Sequence, residues 1–515
     1  MHQAPLYFTR NTLYYSHMAS IEEIRGARLT KLATLEEKGI NPYPARVTRS
    51  HSLFDLKKGF EKLEKEGATV SVVGRVMSIR GQGAISFVDL FDGTESFQAL
   101  LKSDNPISYS GADVDSAFDF FQETVDQGDF IELSGTLFVS KRGEQTIQVE
   151  SWKMVAKSLR AMPDEHYGLK DEDERYRKRY IDILLNEETR KRIIQRSVFW
   201  NSMRSFLVER EFIEVETPVL ETTPGGAEAR PFVTHHNALD MDVYLRISAG
   251  ELHQKKLMVA GLPRTFEIGR IFRNEGMSYE HAQDYTQVEF YQAFSDYKEG
   301  MTMVRDLYRE VAEKTFGTTV FTISEQEVDL AKEWETYDYV ATIEDKLGVN
   351  VLEADEKELV EKLKEHRIDF DTKEINKERA TDLLWKSIRK GIAGPGFLIN
   401  VPVFMEPLAK KSEDNEQTVE RFQVILGGSE MGKGFSELNN PLDQVERFDH
   451  QEKLRAEGDD EAQMKDDEYI EAMEYGMPPA FGFGVSERLF SVLAGVSIRE
   501  AQIFPLMRPK KQGDE

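Results

Sequence analysis

Between Thr69 and Val155 the chain breaks into short runs rich in β-forming residues, at 70–78, 84–91, 96–101, 130–139 and 145–154, separated by glycines and charged turns. Side chains of an extended run alternate between two faces, so each run reads as a strand. A stretch at 114–125, between the third and fourth runs, changes to helical spacing. Five strands with a helix in that place predict a small β-barrel.

At 515 residues the chain exceeds what one hydrophobic core serves, and the rest of it reads differently. Residues 20–65 are expected to be a helical segment: Ile24, Leu29, Leu32 and Leu35 recur at helical spacing until Gly39 and Asn41-Pro42 stop the pattern. The barrel is assigned to 66–157 and has the strand and helix order of an OB-fold. A charged connector follows over 158–180, with a basic patch at Arg175 to Arg179. A second domain, 181–515, opens with a long helical pattern at 187–211. Its strands, at 264–273, 285–294, 397–403 and 422–429, mix with helices in an α+β order, which predicts an antiparallel core sheet flanked by helices. The Glu- and Lys-rich interval 324–390 is expected to be a helical insertion. Residues 1–19 lack the apolar core of a secretory signal and are expected to be a disordered extension, with Met18 a second candidate start.

Composition narrows the chemistry. No run approaches the roughly 18 apolar residues of a membrane span, so no membrane association is expected. With no cysteine there is no thiolate nucleophile and no thiolate metal site, which suits a reducing, cytoplasmic setting. A net charge of −26 leaves a nucleic-acid partner to local basic patches.

The most informative stretch runs Phe266-Glu267-Ile268-Gly269-Arg270-Ile271-Phe272-Arg273-Asn274-Glu275-Gly276, then a polar loop through His281, then Tyr285-Thr286-Gln287-Val288-Glu289-Phe290-Tyr291. It reads as two strands and a loop, with Arg273 and Glu275 sharing one face and Gln287, Glu289 and Tyr291 sharing another. A polar stripe of this kind is commonly a solvent face. Here the stretch resembles motif 2 of the class II aminoacyl-tRNA synthetases, in the version found in lysine-specific members. The resemblance extends to Phe212-Ile213-Glu214-Val215-Glu216-Thr217-Pro218, similar to motif 1, and to Pro224-Gly225-Gly226-Ala227-Glu228-Ala229-Arg230-Pro231-Phe232. It continues in Gly434-Phe435-Ser436-Glu437-Leu438-Asn439-Asn440 and in Gly482-Phe483-Gly484-Val485-Ser486-Glu487-Arg488, similar to motif 3. These motifs come in order along the chain, and the resemblance as a whole spans about residues 20 to 510.

The resemblance implies an enzyme that joins lysine to ATP as an adenylate and then passes it to tRNA, with Mg2+ on the phosphates. Bringing a carboxylate to the α-phosphate of ATP accumulates negative charge, which fixed guanidinium groups relieve. Arg273 and Arg488 are the implied catalytic residues. ATP binding is assigned to Arg273, Glu275, His281, Tyr285, Glu430 and Arg488, with the metal on Glu430 and Gln423; the family has a carboxylate where Gln423 stands. Lysine binding is assigned to Gly226, Glu251, Arg273, Glu289, Tyr291 and Glu437, because a buried ammonium needs anionic partners. Lys433 stands where the family has an asparagine. Phe87, Gln98 and Glu144 match anticodon-reading positions on the barrel, and Pro218 marks the motif associated with homodimers. The competing readings are an aspartate- or asparagine-specific relative, which Lys433 favours, and a catalytically silent paralogue that binds tRNA.

Overall fold

The computed structural model describes residues 20–163, 169, 171–372, 375–459 and 462–510. The expected extension over 1–19 and part of the connector, 164–168 and 170, lie outside the described residues. Two compact units divide the chain, Met1–Gly168 and Leu169–Glu515.

The first unit opens with the helix Ile21–Glu37. Ser20 accepts from the Glu23 amide while Glu23 reaches back to the Ser20 amide, so two of the helix's orphan donors are satisfied at once. The barrel strands are Val70–Gln82, Ile85–Phe91, Ser96–Lys102, Phe130–Val139 and Gln145–Ala156. Antiparallel pairing runs third, second, first, fourth, fifth, and a parallel pairing of third to fifth closes the ring. Closure removes the free edges an open sheet would expose. Inside lie Val72, Val88, Leu90, Ala99, Leu101, Leu133, Ile147 and Val149, all buried. The helix Ala117–Thr124 brings Phe118, Phe120 and Phe121 against them, and Trp152 Nε1 donates to the Ala117 carbonyl at 2.8 Å.

The second unit is built on an eight-stranded sheet. Its six central strands are Gly396–Ile399, Arg421–Leu426, Ser429–Ser436, Ala480–Ser486, Asp284–Ala293 and Arg264–Phe272, antiparallel throughout. Short parallel strands, Glu335–Asp338 and Ile213–Glu214, cap the two edges. Alternation along the strands decides what each face does. Phe266, Val288, Phe290, Phe422 and Phe483 point to one face, where the helices Glu187–Val208 and Tyr297–Phe316 cover them. Glu267, Gln287, Glu289 and Tyr291 point to the other, and all four are buried there.

Three expectations need correction. The run 422–429 is two strands, because Gly427 and Gly428, at φ 56° and 74°, make a two-residue turn between Leu426 and Ser429. The interval 324–390 is not helical from its start: Val320–Ile323 and Gln326–Asp329 form a hairpin, followed by the edge strand Glu335–Asp338. That turn uses Ser324 and Glu325 at φ 49° and 67°, so it lacks the glycine or asparagine by which sequence announces such hairpins. Only then come the helices Tyr339–Leu347, Glu356–Glu365 and Lys377–Ile388. Finally, the first motif 2 strand ends at Phe272, so Arg273 and Glu275 stand in the loop beyond it rather than on its face.

Candidate active site

The polar face of the sheet floors a cavity of about 930 Å³, lined also by residues 369–371, by the helix Lys377–Ile388 and by Asp459. It brings together Gly226, Glu251, Arg273, Glu275, His281, Tyr285, Glu289, Tyr291, Gln423, Glu430, Glu437 and Arg488, every residue assigned above to the reaction centre.

One end is a narrow acidic slot. Glu289 accepts from the Ala249 amide at 2.8 Å and from the Tyr291 hydroxyl at 2.9 Å, which fixes its carboxylate along the strand Asp284–Ala293. Glu251 opens the helix Glu251–Val259. The residue before it, Gly250, is left-handed at φ 73°, and a Cβ there would lie 2.2 Å from Thr217 Oγ1. Glu437 follows the strand Ser429–Ser436 and is 1% exposed, with neither oxygen receiving an aligned hydrogen bond. Gly482 keeps this end open, since a Cβ would meet Glu437 Oε1 at 2.2 Å and the Tyr291 ring at 2.4 Å. Burial, first, and then the neighbouring carboxylate Glu251 push Glu289 up to about 7. Burial likewise pushes Glu437 up to about 8, against the pull of a lysine beside it.

That lysine, Lys255, was not singled out in the sequence. Its Nζ is 2.7 Å from Glu251 Oε1 and 2.6 Å from Glu437 Oε2. The four-residue spacing from Glu251 was legible as a helical ion pair. Its complete burial was not.

The other end is basic. Arg273 donates from Nε to the Ile247 carbonyl at 3.2 Å, and its guanidinium stands 6.0 Å from the Tyr285 ring centroid. Arg488 heads the short helix Arg488–Leu493 and pairs through Nη2 with Glu280, a second residue the sequence reading passed over. His281 Nδ1 lies 2.7 Å from Ser278 Oγ, and partial desolvation, helped by the Arg488 charge, lowers its pKa. Lys433 reaches the cavity wall with its ammonium 3.3 Å from Glu406 Oε2, and Glu406 also takes Arg421 Nε at 3.0 Å.

Comparisons with known proteins give the family. The family described as "tRNA synthetases class II (D, K and N)" matches residues 171–508. This chain belongs to the class II tRNA synthetases. A second family, "OB-fold nucleic acid binding domain", matches residues 70–155. The lysine–tRNA ligase of Thermosipho africanus is 41% identical over 495 residues, covering 95% of this chain and 97% of the relative. That of Fervidobacterium nodosum is 40% identical over 495 residues, 95% of each chain. That of Halalkalibacterium halodurans is 38% identical over 503 residues, 96% of this chain and 99% of the relative.

Two further features of the synthetase bear on its ligands. Among the described residues no cluster of three acidic or histidine side chains forms a metal nest. Glu430 offers one carboxylate, though Oε1 accepts from Trp385 Nε1 at 2.8 Å and Arg389 lies 3.8 Å from Oε2. The Gln423 amide oxygen is taken by Arg421. A single carboxylate fits magnesium, which keeps most of its shell for phosphates and water; Gln423 does not fit as its ligand in this arrangement. On the barrel, Phe87 sits half-buried on the outer face while Val88 and Leu90 fill the inside. Phe87 pairs with Leu100 and Asp89 with Gln98, so Phe87 and Gln98 are diagonal neighbours on that face. Gln98 Oε1 accepts from Thr146 Oγ1 at 3.0 Å, and exposed Glu144 lies two residues before Thr146, in the turn between the fourth and fifth strands.

Proposed function

We propose that this synthetase is a lysine–tRNA ligase: it activates lysine with ATP and transfers it to the 3′ end of its tRNA. The observation that carries the reading is the acidic slot of Glu251, Glu289 and Glu437, lined at its end by Tyr291 and kept open there by Gly482. The substrate α-ammonium meets Glu251, Glu289 and the Gly226 backbone, and the side-chain ammonium reaches Glu437 and Tyr291. Arg273, at the slot mouth, holds the substrate carboxylate against the α-phosphate. One carboxylate oxygen bonds to the α-phosphorus as the bond to the β-phosphate oxygen breaks, giving lysyl-adenylate and pyrophosphate. Arg273 and Arg488 offset the charge that gathers on the phosphates, with no protein nucleophile. Tyr285 and Glu275 receive the adenine, and His281 with Arg488 the outer phosphates. Glu430 anchors the magnesium that arrives with ATP and neutralises phosphate charge.

The aspartate or asparagine reading rests on Lys433. Its ion pair with Glu406 engages that cation, which removes the main support for an acidic side chain in the slot. Intact Arg273 and Arg488 speak against a silent paralogue. Residues 66–157 act as the anticodon domain, residues 181–515 as the catalytic domain. Phe87, Gln98 and Glu144 lie on the face and loop by which OB-folds take oligonucleotides. The enzyme works in the cytoplasm as a homodimer: exposed Ile194, Val198, Ile213, Val219, Leu220 and Val233 lie on and around motif 1 and Pro218. Light scattering should return twice the 59.1 kDa chain mass, and a monomeric mass would refute the dimer.

The deciding experiment is exchange of labelled pyrophosphate into ATP with each standard amino acid in turn. Exchange with lysine is expected. Exchange with aspartate or asparagine in its place, or with none, overturns the assignment.

A further inference from the structure

The charge of the slot balances only when Lys255 is counted. Its side chain is fully buried on the helix Glu251–Val259, between Glu251 and Glu437. Its ammonium also stands 5.3 Å from the Phe435 ring centroid, 5.9 Å from that of Tyr291 and 6.0 Å from that of Tyr469. Three buried carboxylates, Glu251, Glu289 and Glu437, share this space. Like charges confined together out of water drive one another to take up protons. With all three carboxylates ionised, one fixed ammonium among them leaves a net charge of −2. A lysine substrate carries two ammonium groups, and its carboxylate is met separately by Arg273. Asparagine brings one ammonium and would leave a buried carboxylate unmatched, a loss of the kind that sites built on polar partners use to reject analogues.

Resting on the reading of this slot as a lysine pocket, we infer that Lys255 is a positioning and specificity-determining residue. Bracketed by Glu251 and Glu437, it favours the ionised form of Glu437 and aims it, so that the ionised slot presents two uncompensated negative charges to a dicationic amino acid. Oε2 of Glu437 meets Lys255, while Oε1 has no hydrogen-bond partner among the described residues, so the carboxylate keeps an oxygen for a substrate ammonium. The groups facing Glu437 are Lys255 and Glu251 from one helix, Glu289 and Tyr291 from the strand Asp284–Ala293, and Tyr469 from the helix Asp467–Glu474. Burial and the two glutamates raise the Glu437 pKa; Lys255 draws it down.

The sign of the pH dependence follows. Lysine binds the ionised slot, so in the wild type the KM for lysine should fall as pH rises through about 7 to 8 and then level off. Removing the Lys255 charge moves the Glu437 pKa further up, and each unit lowers the ionised fraction about tenfold below that pKa. Pyrophosphate exchange by the full chain is therefore measured from about pH 6.5 to about pH 9 in the wild type, K255M, K255R and E437Q. In K255M the KM for lysine should rise about tenfold near pH 7, the excess should shrink toward pH 9, and the KM for ATP should stay within about twofold. K255R, which keeps the charge, should follow the wild-type pH profile. E437Q should raise the lysine KM and flatten its pH dependence, a readout that stands even if K255M does not fold. A K255M loss of equal size at every pH, or equally large for ATP, reduces Lys255 to a packing role and overturns the proposal. So does a wild-type pH profile in E437Q. If the wild type itself shows no lysine exchange, it is the lysine reading that fails, before Lys255 is tested.

Discussion

Arg488 enters the cavity already paired. Glu280 holds its Nη2 on one carboxylate oxygen and accepts from Ser429 Oγ at 3.3 Å on the other, and the Arg488 Nε is buried without a partner. On the proposed reading, a triphosphate seated here takes over the guanidinium from Glu280, and part of the nucleotide's binding energy goes into breaking that contact. The pair is partly exposed, at 17% and 28% of the two side chains, and an ion pair of this kind contributes about 1 kcal/mol or less. Glu280→Gln should accordingly lower the KM for ATP by about three- to fivefold at unchanged KM for lysine. A higher KM for ATP would mean that Glu280 instead orients Arg488 for the phosphates. Glu280 precedes His281 in the motif 2 loop, and as an acidic residue in a polar loop it carried no sign that it would meet Arg488.

Packing between elements sets how firmly the site floor is held. The helix Tyr297–Phe316 covers the apolar face of the sheet directly behind the slot. It comes close enough to do so through Gly300, where an added Cβ would lie 2.2 Å from Phe481 Cε2, on the strand that also supplies Gly482 and Gly484. Gly300→Ala should therefore cost about 1–3 kcal/mol in urea-monitored unfolding, despite alanine's better helix propensity. Equal or greater stability would show that the helix shifts freely. Charged contacts tie the start of the same unit to the helix Ile498–Ala501: Arg175, Arg179 and Arg192, on three successive helices, all converge on Glu500. None of those partners is adjacent in sequence, which is why the region read only as a basic connector.

At the scale of the molecule, adenylation and anticodon reading fall in different compact units, and the proposed roles separate accordingly. Phe87→Ala should raise the KM for tRNA in aminoacylation about tenfold or more, the worth of one base stack, while pyrophosphate exchange stays unchanged. Unchanged aminoacylation would remove Phe87 from the interface. The sequence by itself determined the five-stranded barrel, whose strands begin and end within a few residues of the expected bounds, because alternation and turn residues are local signals. It also determined the α+β class of the second unit, and the residues assigned through the motif resemblance are ones that meet in the cavity. Tertiary structure decided what local signals cannot carry. The hairpin at Ser324 and Glu325 depends on left-handed backbone that packing imposes on ordinary residues. The face Phe87 occupies was settled by Val88 and Leu90 taking the barrel interior. The charges of the cavity were decided the same way, for Lys255 acquires Glu437, and Glu280 acquires Arg488, only when helix, strand and loop close on one another, and an ion pair between distant residues leaves no periodic trace in the chain.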